Sequence, residues 1–119
     1  MSAPYGGIDP DVLWRACGGD RDAFASLARI FLDSAPPLFE RLLRALEQGR
    51  AHEAAVASHA LKGMAQLVGA AALSASLLRC ERAGGAGAAL PAAAPLTAQF
   101  ALVMDEVAHC LVHYAGAAR

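Results

Sequence analysis

Apolar residues recur at intervals of three and four along nearly the whole chain, and nowhere do they alternate in twos. The first spacing lays a stripe along one face of an α-helix, whereas a half-buried strand needs a period of two. Glycine and proline then divide the chain into helices. Asp9-Pro10 is a helix start, with Asp9 as N-cap and Pro10 at the first helical position. That short helix runs through Val12, Leu13 and Trp14 to Gly18-Gly19. Asp20 caps a second helix with Phe24, Leu27, Ile30 and Phe31 at helical spacing; Pro36-Pro37 interrupts it as a kink or a restart, and Leu38, Leu42, Leu43 and Leu46 continue the period to Gly49. A third helix is expected over about residues 51–68, with Gly69 in the stop position. A fourth is expected over about 71–83, with Leu73, Leu77 and Cys80 on one face. Gly84-Gly85-Ala86-Gly87, followed by Pro91 and Pro95, reads as the clearest loop. A last helix, about 96–114, puts Phe100, Val103, Val107 and Leu111 in one stripe. The expected fold is all-α: an antiparallel up-down four-helix bundle with a short additional N-terminal helix. Residues 1–8 read as a leader or linker and residues 9–119 as the bundle.

Composition narrows the function classes. A chain of 119 residues is the size of one domain with a real core. Its formal charge of -1 argues against nucleic acid as a partner, since a phosphate backbone wants a concentrated basic surface. Cys17, Cys80 and Cys110 are odd in number and lack the close pairing of a metal knuckle. They read as small hydrophobes in a reducing compartment, so the expected location is the cytoplasm. No run of about 18 apolar residues suits a membrane span, and no direct membrane contact is expected. The first residues lack the basic end and apolar run of a signal peptide.

The most telling local feature is Ser58-His59-Ala60-Leu61-Lys62-Gly63, which holds the only lysine of the chain. On a helical wheel centred on His59, Ala57, Leu61, Met64 and Val68 fall roughly 140° to 200° away and form the core stripe. Lys62, Gly63 and Gln66 fall within about 60° of His59, on the solvent face. Gly63 in an exposed helix costs about 1 kcal/mol relative to alanine, so its lack of a β-carbon should serve a close approach by another molecule. A neutral imidazole, with an ordinary pKa of about 6.5, is a nucleophile at cytoplasmic pH, and a lysine beside it is a compact charge for phosphoryl oxygens. The chemistry that fits is phosphoryl transfer through a phosphohistidine, in which positioning and charge neutralisation do most of the work. The metal and the carboxylate must come from the partner, because no acidic cluster resembles a magnesium site.

These residues, Ala57-Ser58-His59-Ala60-Leu61-Lys62-Gly63 with Gly69-Ala70, Leu73 and Glu81 behind them and Asp20 and Phe31 ahead, make the chain resemble a histidine phosphotransfer (HPt) domain of bacterial multistep phosphorelays. The resemblance spans nearly the whole domain. It implies a bundle whose exposed histidine relays phosphoryl groups between receiver domains of response regulators. It would make His59 the phosphorylated residue, Lys62 the phosphate-side cation, and Gly63, Gln66, Ala55 and His52 parts of the receiver-docking face. Glu81 would accept a hydrogen bond from the ring nitrogen that is not phosphorylated, or else be a solvated helix residue. The domain would hold no cofactor of its own, with Mg2+ supplied by the receiver. It would be a monomeric phosphoryl carrier rather than an ATP-using kinase, since no Gly-rich nucleotide loop occurs. It would be either free-standing or the cytosolic end of a membrane-bound hybrid sensor kinase. Met64 and Ala65 depart from the small polar residues common after the glycine, and Cys80 stands where leucine is usual.

Two rival readings follow from other residues. His109 and His113 are four apart on a helix, a spacing that can grip a transition metal, but no third ligand stands at useful spacing and no metal site is expected. The alternative function is a helical binding module that sequesters a non-receiver enzyme or regulator, with or without phosphotransfer. A pure scaffold has no need of the imidazole.

Overall fold

The computed structural model describes residues 5–115. Five α-helices follow in order: α1 (Pro10–Ala16), α2 (Arg21–Glu47), α3 (Ala51–Leu67), α4 (Ala71–Ala86) and α5 (Ala93–Cys110), with a π-helical turn at Leu111–Ala115. No strand occurs among the described residues. The two aspartates read as caps act as caps: Asp9 accepts from the Asp11 amide at 3.1 Å and Asp20 from the Asp22 amide at 2.9 Å. Short turns fold α2, α3 and α4 back on one another, α3 packs most extensively on α4 and next on α2, and α5 closes the bundle against α2 and α4. None of these helices is long and apolar enough to cross a membrane. The three cysteines are free thiols, with Cys80 and Cys110 buried.

Alanines carry much of the core. The buried face of α2 is Phe24, Ala25, Ala28, Phe31, Ala35, Phe39, Leu42 and Ala45, so Phe24, Phe31 and Leu42 point inward as the period suggests, while alanines and Phe39 take the places between them. Ile30 is 55% exposed, and Leu27, Leu38, Leu43 and Leu46 are only partly buried. On α3 the core face is Ala54, Ala57, Ser58, Leu61 and Ala65. Small residues there let α3 and α4 approach closely, and Phe39 and Phe100 stack across α2 and α5 with centroids 4.1 Å apart.

Three element boundaries differ from the sequence reading. First, α2 runs unbroken for 27 residues through Pro36 and Pro37. Each proline removes one amide donor, but Phe31 and Ala35 before them and Phe39 and Leu42 after them bury the same face, and that shared packing outweighs the lost bonds. Second, α4 continues through Gly84 and Gly85 to Ala86, and Gly87, at φ +67°, makes the stop. Gly84 extends the Leu73, Leu77, Cys80 stripe: a β-carbon there would press into the Ala51 carbonyl oxygen on α3. Third, α5 begins at Ala93, which leaves Pro95 in the first turn, where its amide would have had no partner within the helix.

Met1 to Pro4 of the expected leader lie outside the described residues. Tyr5 to Ile8 lie against α5. The Glu106 carboxylate accepts the amides of Gly6, Gly7 and Ile8 at 3.0, 2.8 and 3.1 Å, and Tyr5 Oη lies 2.6 Å from His109 Nδ1. Burial raises the Tyr5 phenol well above its ordinary value, which keeps it a neutral hydroxyl. Ile8 itself is buried in the core.

Candidate functional site

Consecutive residues on α3 and α4 meet in two layers. In the inner layer Ser58, fully buried, lies beside the Cys80 thiol. Its Oγ makes no hydrogen bond of ordinary geometry, and burial raises the Cys80 thiol, so the pair stays neutral. In the outer layer His59 and Glu81 pair across the same helices. His59 Nδ1 lies 2.7 Å from Glu81 Oε2, with the histidine side chain 70% exposed and the glutamate 26%. Lys62 Nζ donates to the other carboxylate oxygen, Oε1, at 2.7 Å.

The hydrogen bond from Lys62, and after it the one from His59, holds Glu81 below the ordinary carboxylate value. An ionised carboxylate can only accept, so the proton of this contact sits on His59 Nδ1 and the neutral ring keeps its lone pair on Nε2. Hydrogen-bond geometry thus selects the tautomer. The result is an exposed nucleophilic nitrogen, an adjacent ammonium and a carboxylate that can stabilise positive charge on the ring.

The remaining sequence-selected residues fall into place differently. Lys62 lies on the same arc as His59, yet its side chain is only 18% exposed, because it reaches across to α4 and Glu81. It is not the free surface cation that the wheel suggests. Glu81 proves to be a bonded partner of the ring rather than a solvated residue. Gly63 is exposed, and a β-carbon there would meet nothing within 4 Å. Ala55 lines an open trough of about 370 Å³ together with Val56, His59, Glu81 and Gly85. Gln66, exposed, borders a separate hollow with Asp9, Val12 and Gly69. His52 is exposed two turns before His59 and is not in the wall of the trough.

Sequence reasoning missed Ser58, Val56 and Gly85. The spacing from Leu77 to Cys80 to Gly84 was the available signal that α4 runs on past Ala83. The His109 and His113 rings lie 4.0 Å apart, but His109 Nδ1 is engaged by Tyr5. Among the described residues no three His, Cys, Asp or Glu side chains gather as a metal site.

The family model for the Hpt domain matches residues 26–110, well over half of the chain. A solved structure with the same architecture is histidine-containing phosphotransfer protein B (HptB) from Pseudomonas aeruginosa PAO1. It superposes with a TM-score of 0.78 at 24% identity, covering 95% of this chain and 99% of that one. No curated protein matches the sequence. The chain belongs to the Hpt domain family. Its class of activity is therefore histidine phosphotransfer in two-component phosphorelay signalling, as a phosphocarrier and not a kinase, with response-regulator receiver domains as the general kind of partner.

Proposed function

We propose that this protein accepts a phosphoryl group on His59 from the aspartyl phosphate of one receiver domain and passes it to the aspartate of another. Nε2 attacks phosphorus; the N–P bond forms as the bond from phosphorus to the aspartyl oxygen breaks, and the carboxylate leaves as an anion. No proton has to depart. Nδ1 keeps its hydrogen, and the positive ring that forms faces the Glu81 carboxylate. Transfer to the next receiver is the same step in reverse. Lys62, held beside the ring by Glu81, is positioned to share its three N–H donors between that carboxylate and a phosphoryl oxygen. Gly63, Gln66, Ala55 and His52 belong to the receiver-facing surface in this reading. The magnesium ion and the reacting carboxylate belong to the receiver. The carrier works in the cytoplasm as a monomer, either alone or joined to a hybrid kinase.

The observation that supports this reading is the Nδ1 contact with Glu81, which leaves Nε2 with a lone pair on a ring 70% exposed. The test is transfer from phosphorylated receiver domains. The expected label on the protein is acid-labile and base-stable, as a phosphoramidate is. His59→Gln should abolish it without altering the helical circular dichroism. Labelling that survives in His59→Gln would sink the proposal.

A further inference from the structure

The trough beside His59 is walled by Ala55 and Val56 of α3 and by Gly85 of α4, with His59 and Glu81 at its end. Val56 is 54% exposed, one of the few large apolar side chains left in solvent. Gly85 stands next to Gly84, but the two differ. Gly84 is dictated by the fold, since a β-carbon there would press into the α3 backbone. At Gly85 a β-carbon would meet nothing within 4 Å. Nor does Gly85 end the helix, which Gly87 does at φ +67°. A helical glycine with no task inside the fold gives up helix stability for nothing internal, as Gly63 does on α3.

Any group that exchanges phosphoryl with His59 has to stand over the ring, and the ring is one end of the trough. The trough's occupant is therefore part of the same partner. Its chemistry follows from the walls. His59 and Glu81 spend Nδ1 and Oε2 on each other and Nε2 faces the phosphoryl group, while the rest of the wall, Ala55, Val56 and Gly85, carries no polar side chain, so a polar or charged occupant there would shed water and gain no side-chain partner in return. An apolar side chain would instead bury Val56 and Ala55 at no such cost.

We infer that Gly85 and Val56 are specificity-determining residues for receiver docking: the trough takes a compact apolar side chain standing beside the receiver's reactive aspartate, and the bare backbone at Gly85 makes room for it. This rests on the receiver-transfer reading and adds a second helix to the docking face. Gly63 governs approach along α3, past the ring, and Gly85 governs approach from α4, before it.

The experiment uses the full chain and a panel of phosphorylated receiver domains, taking forward the one that labels wild type fastest. Gly85→Ala and Gly85→Leu should weaken receiver binding in graded fashion, with at least a tenfold loss of affinity for leucine, while the melting temperature holds or rises. Val56→Glu should give a similar loss. Labelling of His59 by phosphoramidate, a small donor that needs no docking surface, should be unchanged in all three variants. Receiver affinity within twofold of wild type in both Gly85→Leu and Val56→Glu would overturn the inference while leaving the transfer reading intact. Equal loss of phosphoramidate labelling would also overturn it, by showing damage to the ring rather than to docking. Wild type that accepts phosphoryl from no receiver would end the transfer reading and this inference with it.

Discussion

Glu81 serves two donors, one at each carboxylate oxygen, and this single side chain sets the tautomer of His59 and the position of Lys62. Glu81→Gln keeps the shape but offers one acceptor oxygen where the carboxylate has two, and no charge for the ring to lean on. Transfer to and from receivers should slow on the order of tenfold, the value of a hydrogen bond to a charged group. The same substitution has a pH signature. Because Glu81 is held below its ordinary value of 4.5, its contribution to stability is complete above that value and is lost as pH falls through the depressed one. Thermal melts taken from neutral pH into that acid window should fall more steeply for wild type than for Glu81→Gln. Parallel curves would show that the carboxylate does not couple to folding. The phosphoryl-accepting candidate was legible in the sequence at this scale, because histidine, lysine and glycine at that spacing have few other uses. The Glu81 contact was not decidable there, since 22 residues separate it from His59 and only the α3–α4 packing sets the distance.

Neighbouring helices explain why one glycine is fixed and others are free. Gly84→Ala would push a β-carbon into the Ala51 carbonyl, and the strain of separating α3 from α4 should cost about 1–3 kcal/mol. Gly63→Ala meets open space and should stabilise the helix by up to about 1 kcal/mol. Chemical denaturation of the two variants should move the midpoint in opposite directions; a shift of the same sign would contradict the packing described. Helix number, order and caps were readable from periodicity and from Asp9 and Asp20. What periodicity misjudged was which residues face inward. Phe24, Phe31 and Leu42 face inward as the period indicates, but Ala25, Ala28, Ala35 and Ala45 carry no strong apolar signal, whereas Ile30 and Leu38 do and yet stand off the buried face. Pro36-Pro37 and Gly84-Gly85 misled for one reason: local propensity is a weak term, and a face already committed to the core overrides it.

Across the whole molecule, Gly6, Gly7 and Ile8 ahead of α1 are tied to α5 through one carboxylate. Glu106→Ala would strip the acceptor from three backbone amides, costing about 1–3 kcal/mol and speeding hydrogen exchange at Gly6, Gly7 and Ile8. Exchange at wild-type rates in that variant would show that Ile8 alone anchors the segment. The Tyr5–His109 contact has a topological consequence. Residues 104 positions apart touch, so the segment that leads into α1 and the last turns of α5 are neighbours in space. Joining Tyr5 to Ala115 through a short linker and opening the chain in the loop between Gly87 and Leu90 should give a circular permutant with the same helix neighbours. In such a protein α5 would come first and α4 last, and His59 would still face Glu81.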